Sequence, residues 1–152
     1  KIVPLAGELR SSDVNIGGTT WKPEIPDMIR ISDEVHKIMN QDTSITEKAI
    51  TLMLFLMRSQ IFYDGNKRVA QLAANQVMIQ NGKGIISIPV EHQEQFFVML
   101  VKYYETNQMD EIKQFVYESS VSGINFQKKM DVKPVSKEEF YRKKVKPISP
   151  KL

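Results

Sequence analysis

From Leu52 to Met57 the chain is apolar whichever way a helix is turned. Residues 46–57 (Thr-Glu-Lys-Ala-Ile-Thr-Leu-Met-Leu-Phe-Leu-Met) therefore predict a helix sunk in a core rather than one lying on a surface. Ser44 followed by Glu47 marks its start as a capping box, in which hydroxyl and carboxylate each satisfy an orphan amide of the first turn. Helical spacing resumes from Asn66 to Asn81 through Val69, Leu72, Ala73, Gln76, Val77 and Gln80, with Gly82 where a left-handed C-terminal residue is wanted. Between the two lies Arg58-Ser-Gln-Ile-Phe-Tyr-Asp-Gly-Asn-Lys-Arg68, so the pattern predicts helix, tight turn at Asp64-Gly65, helix.

The other segments frame that pair. Met28, Ile31, Val35, Ile38 and Met39 share one face of an amphipathic helix over 27–41, with Asp27 near its start. Gln95, Phe96, Met99, Leu100, Tyr103 and Tyr104 make a core stripe over 91–107, and Ile112, Phe115 and Val116 do the same over 110–118. Ile85-Ile-Ser-Ile-Pro89 reads as a short extended connector after the break at Gly82-Lys-Gly84. Residues 1–26 carry three prolines and Gly17-Gly18; the short strand-like runs 14–16 and 19–21 around that pair predict a β-hairpin, with Trp21 available to pack on the core. The expected organisation is one domain over 1–125 and a C-terminal extension over 126–152. In the extension Ser136-Lys-Glu-Glu139 predicts a short helix through Lys144.

Composition narrows the class. A 152-residue chain with 41% apolar and 26% charged residues is that of an ordinary globular domain able to bury a core. The absence of cysteine removes disulfides and thiolate metal sites and fits a reducing compartment, so a cytoplasmic location is expected. No apolar run is long enough for a membrane span and no signal peptide is visible, so no membrane partner is expected; a start at Lys1 rather than Met leaves room for upstream sequence. From Phe126 onward there are nine Lys or Arg against three acids, so the net +3 of the whole chain leaves residues 1–125 at −3. The basic run Arg142 to Lys146 reads as a solvated helix face rather than a nucleic-acid contact, since only Tyr141 interleaves it. His36 and His92 are lone histidines on helices and read as structural or surface residues.

The turn at 60–68 carries the candidate chemistry. The first amides of the second helix lack intrahelical acceptors and sit at the positive end of its dipole, so Gly65, Asn66, Lys67 and Arg68 form a phosphate cradle. Arg68 could clamp phosphate oxygens with two parallel bonds and Asn66 could donate a neutral one. Asp64 offers a hard oxygen to a magnesium shared with the phosphates. Phe62 would pin the loop to the core. The plainer reading is that Asp-Gly-Asn is turn chemistry and Lys67-Arg68 a solvated face.

Residues 60–70, Gln-Ile-Phe-Tyr-Asp-Gly-Asn-Lys-Arg-Val-Ala, resemble the signature of the Fic/Doc (Fido) family, His-x-Phe-x-Asp/Glu-Gly/Ala-Asn-Gly/Lys-Arg. Ile16-Gly-Gly-Thr-Thr-Trp-Lys-Pro-Glu-Ile-Pro26 resembles the flap that precedes the motif, and Ile86-Ser-Ile-Pro-Val-Glu91 the start of the family's C-terminal half; the likeness covers about residues 8–120. It implies a mainly α fold, a Fic-type helical bundle with a β-hairpin flap near the N-terminus. It also implies binding of ATP or another nucleoside triphosphate with Mg, and transfer of AMP, or in Doc-like members phosphate, to a Ser, Thr or Tyr hydroxyl of a target protein. A regulatory or antitoxin partner is compatible with that class. By position Asp64 would hold the metal, Asn66 and Arg68 with the loop amides the phosphates, and Phe62 would be the buried anchor. Flap residues Ile16, Gly17, Gly18, Thr19 and Thr20 would take up the target segment as an added strand. No inhibitory helix of the family's Ser/Thr-x-x-x-Glu-Gly/Asn type is seen.

Two positions depart from that pattern. Gln60 stands where the family has its catalytic His, and a neutral amide cannot take the proton of an attacking hydroxyl; losing a general base costs about 10²–10⁴-fold. Gln60 can still orient a hydroxyl by hydrogen bonding. Lys67 stands where AMP-transferring members usually have Gly, which resembles the Doc branch; pointing inward it would add charge beside the phosphates, pointing outward it is a surface lysine. Impaired or altered transfer is the expectation, and the alternative is a non-catalytic module that binds nucleotide and peptide.

Overall fold

The computed structural model describes residues 7–123. Five helices, α1 (Met28–Asn40), α2 (Ile45–Ser59), α3 (Asn66–Gln80), α4 (Gln93–Thr106) and α5 (Asp110–Ser120), make a mainly α fold. The two short strands β1 (Ile85–Ile86) and β2 (Val121–Ser122) pair antiparallel, Ile85 facing Ser122 and Ile86 facing Val121. The extension over 126–152, with its expected helix and basic run, lies outside the described residues. Among those described, no helix is long and apolar enough to cross a membrane.

As its apolar run predicts, α2 is the axis of the bundle. Ala49, Ile50, Leu52, Met53, Leu54, Leu56 and Met57 are all buried, and α1, α3 and α5 pack around them. The capping box is half made. Ser44 Oγ accepts from the Glu47 amide at 3.1 Å, but the Glu47 carboxylate faces Lys113 of α5 at 2.8 Å instead of returning to the cap. That pair ties the starts of two helices together.

The buried face of α3 differs from the one its spacing suggests. Ala70, Ala74 and Met78 are buried, in line with Asn66, while Leu72 is 70% exposed and Val69 and Ile79 also face outward. The reason is steric. The bulky side chains of α2 already fill the space between the helices, so α3 approaches through small residues four apart. The helix ends as expected: the Gly82 and Lys83 amides reach back to the carbonyls of Ile79 at 3.1 Å and Met78 at 2.9 Å, a Schellman close. Asn75 then clamps Ile86 of β1, its amide donating to the Ile86 carbonyl at 2.9 Å and its oxygen accepting the Ile86 amide at 2.6 Å. The strand at 85–86 is thus fixed from α3 as well as from β2.

In α1, Asp27 caps the Arg30 amide at 2.9 Å and Ile38 is buried with Val35 and Met39 against the core, but Met28 is 60% exposed and stands off the apolar face. The stripes of α4 and α5 bury Phe96, Leu100, Tyr103, Tyr104, Ile112 and Val116, with Met99 and Phe115 packed at their edge; Gln95 is exposed.

The flap corrects an expectation. Residues 17–18 form the turn, but no strand is present among residues 8–27, so the β-hairpin ladder is not formed. Its donors and acceptors are used elsewhere. The Trp21 amide donates to Thr19 Oγ1 at 3.0 Å, Pro23 and Pro26 have no amide to offer, and the carbonyls of Ser12, Pro23 and Glu24 accept from the side chain of Arg10. Side chains hold this segment. The Trp21 ring stacks on Tyr104 at 5.5 Å, with the Arg58 guanidinium 4.7 Å from its centre on α2.

Candidate nucleotide-binding cleft

Two left-handed residues build the loop between α2 and α3. Gln60 ends α2 at φ 45°, ψ 53°, and Gly65 starts α3 at φ 79°. At Gly65 the absence of a Cβ lets the loop turn without strain; Gln60 is held in the same region by its contacts. Its side-chain amide donates to the Met57 carbonyl at 2.6 Å and to Tyr104 Oη at 3.4 Å, and its oxygen accepts from Asn66 at 3.1 Å.

Asn66 is the buried hub. Its oxygen accepts the Phe62 amide at 2.9 Å and its nitrogen donates to the Phe62 carbonyl at 2.7 Å as well as to Gln60. Both N–H groups are spent inside the loop, so Asn66 closes the cradle; it is not presented to a phosphate as the spacing suggested. Phe62 is likewise half-buried, not a core anchor: Ile61 is the loop residue that packs on the core, and Phe62 contributes its backbone to Asn66.

What the loop presents outward is a set of donors. The Asn66, Lys67 and Arg68 amides have no acceptor among the described residues, and the Val69 amide begins the helical ladder on the Gly65 carbonyl at 2.9 Å. Arg68 and Asp64 are both exposed and paired at 3.3 Å, while Asp64 Oδ1 takes the Gly65 amide at 2.6 Å. Lys67 is exposed at the rim of the loop and leans over a half-exposed ring of α4. Its ammonium lies 4.3 Å from the centre of the Phe97 ring, and partial burial lowers its pKa.

These groups border a cleft of about 490 Å³. Asn15, Ile16 and Gly17 form one wall, Gln60 and residues 63–68 the opposite one, and Phe97, Leu100, Val101 and Tyr104 of α4 the floor. Of the five flap residues singled out in the sequence, Ile16 and Gly17 therefore face the motif. Gly18 lies against Val101, Thr19 donates to Glu105 at 2.5 Å, and Thr20 is exposed and borders nothing here.

Sequence reasoning missed Arg10, Tyr63 and Phe97. In sequence Arg10 looks like a surface cation in a polar stretch, yet it is 1% exposed. Tyr63 occupies a variable position of the motif; its hydroxyl accepts the Ser11 amide at 3.0 Å and meets the Ser11 and Ser12 hydroxyls at 3.3 and 3.1 Å. Those hydroxyl bonds, Ser11 first, pull the phenol down to about 8. Burial pushes the Tyr104 phenol well up, so the hydroxyl facing Gln60 stays neutral.

A family model described as the Fic/DOC family matches residues 1–78, which takes in the flap segment, α1, α2, the loop and most of α3. The chain belongs to the Fic/DOC family. A comparison with curated proteins gives no significant match. The floor from α4 lies beyond the matched residues, so the match covers two of the three sides of the cleft.

The fit of a metal can be tested on the acids present. Among the described residues no three of His, Cys, Asp and Glu converge, so a cation here would have Asp64 as its protein ligand and take its remaining oxygens from phosphates and water. Mg²⁺ is commonly held in this way, by one or two carboxylates plus substrate phosphates.

Proposed function

We propose that this Fic domain binds a nucleoside triphosphate such as ATP, with its phosphates on the cradle at 65–68 and Mg²⁺ shared between them and Asp64. The observation that carries the reading is the convergence of three acceptorless amides, Lys67 and Arg68 on one side of a cleft of about 490 Å³. Backbone donors at a helix start and a guanidinium recognise phosphate oxygens, and Lys67 adds a second positive charge beside Phe97. The target would be a protein hydroxyl brought along the wall at Asn15–Gly17.

Transfer of AMP would form a bond from that hydroxyl oxygen to the α-phosphorus and break the bond to the pyrophosphate leaving group; the hydroxyl proton must go to a base. Gln60 cannot accept it, and its side chain is already committed to Met57, Tyr104 and Asn66. Weakened transfer follows, and the same commitment favours a second reading, a non-catalytic module that binds nucleotide and a peptide strand.

Calorimetric titration of Mg·ATP into the natural chain and into Gln60→His, with transfer of α- and γ-label to proteins followed in parallel, separates the two. Binding by both chains with label moved only by Gln60→His, about 10²–10⁴-fold above the natural chain, marks a site that has lost its base. Equal transfer by both would show that Gln60 is no lesion, and absence of binding in both would remove the nucleotide reading.

A further inference from the structure

We propose that Arg10 is the positioning residue that fixes the flap wall of the cleft to the motif loop. Its planar group reaches three stretches of chain at once. Nε donates to the Gln60 carbonyl at 2.5 Å, Nη1 to the Ser12 carbonyl at 3.0 Å, and Nη2 to the carbonyls of Pro23, at 3.3 Å, and Glu24. Its own amide adds a bond to the Ile61 carbonyl at 3.0 Å. A guanidinium 1% exposed and matched to carbonyls rather than to a contacting carboxylate has lost its hydration, and it is retained only where its full set of donors is used. Here that set spans both ends of the segment bearing Asn15, Ile16 and Gly17, and grips the carbonyl of the left-handed residue where α2 stops.

No ladder does this work in its place, because residues 8–27 hold no strand. The other ties either are exposed, Tyr63 to Ser11 and Ser12 and Thr19 to Glu105, or reach the core rather than the motif loop, Ile16 against the core and Trp21 to Tyr104 and Arg58. Lysine could keep the charge but not the fork, since an ammonium is a point donor that cannot reach Gln60, Ser12 and residues 23–24 together. The wall is positioned in this way whatever the cleft holds; only its use as a guide for a target strand rests on the function proposed above.

Trp21 is the single tryptophan of the chain and lies within the segment, so its emission reports on how this wall sits against Tyr104 and Arg58. In full-length Arg10→Lys, Trp21 emission should move toward that of a solvated indole. The hydrogen-bonded amides of residues 10, 11 and 21 should exchange at least about tenfold faster, while those of α2 and α3 stay within about twofold of the natural chain. Unchanged emission and exchange, or acceleration shared equally by α2 and α3, would overturn the assignment. Should Arg10→Lys not fold, the natural chain still decides: the Arg10 Nε–H should exchange at least about a hundredfold more slowly than those of exposed arginines, and exchange at their rate overturns the proposal. None of these readouts involves nucleotide, so failure of the chain to bind Mg·ATP would remove the proposed function and leave this inference standing.

Discussion

The loop at 60–66 closes on itself through a buried side-chain amide, whereas residues 11–24 have neither helix nor ladder and are held by side-chain contacts, chiefly the Arg10 guanidinium and the Trp21 indole. The loop lies between two helices packed along their length, so its geometry is inherited from the core. The opposite wall is attached at points. A packed loop with acceptorless amides facing a wall that holds no strand is an arrangement suited to holding a small anion firmly while leaving room beside it for an extended segment.

The sharpest way to break this contrast is at Asn66. Asn66→Ala leaves the Phe62 amide and carbonyl and the Gln60 side chain without their partner in a buried site, and should cost about 2–4 kcal/mol in denaturant unfolding. A loss below about 1 kcal/mol would show that the loop is not held from within.

Arg68 should behave in the opposite manner. It is 78% exposed at its side chain and its pairing with Asp64 is a surface contact, so Arg68→Ala should change stability by less than about 0.5 kcal/mol. Affinity for Mg·ATP should nevertheless fall on the order of a hundredfold, because the lost donors are charge-assisted. Calorimetry that finds unchanged affinity would detach the phosphates from this cradle.

The helices were legible because apolar residues at helical spacing have few other uses, and the acceptorless amides at the start of α3 were legible because a helix opening on Gly-Asn-Lys-Arg leaves its first amides without intrahelical acceptors. The buried face of α3 was not. Leu72 and Val69 are the more hydrophobic choice in one dimension, but Ala70 and Ala74 are the ones that let two backbones approach, and that preference exists only once the bulk of α2 is in place. The roles of Asn66 and Phe62 were inverted for a related reason: a short polar residue at a helix start can face solvent or cap the preceding loop, and burial decides between them. The hairpin failed because local strand propensity does not count competing acceptors, and Arg10, separated by fifty positions from the Gln60 carbonyl it grips, is visible only in three dimensions.

The mildest test concerns Tyr63, the exposed tie between the two walls. Its phenol titrates at about 8 against an ordinary value near 10, because hydroxyl and amide donors from Ser11 and Ser12 favour the phenolate. The sign follows by linkage: between about pH 8 and pH 10 the unfolded chain binds the proton that the folded chain has lost, so this group stabilises the fold increasingly as pH rises through that window and contributes nothing below it. Absorbance at the phenolate band should show one tyrosine ionising near 8. In the Ser11→Ala, Ser12→Ala double variant the two hydroxyl donors are gone and only the backbone of residues 11 and 12 remains, so that step should move up toward the ordinary value while the fold is unchanged. A step that stays near 8 would mean that the serines do not hold the Tyr63 hydroxyl, leaving Arg10 as the tie between the two walls.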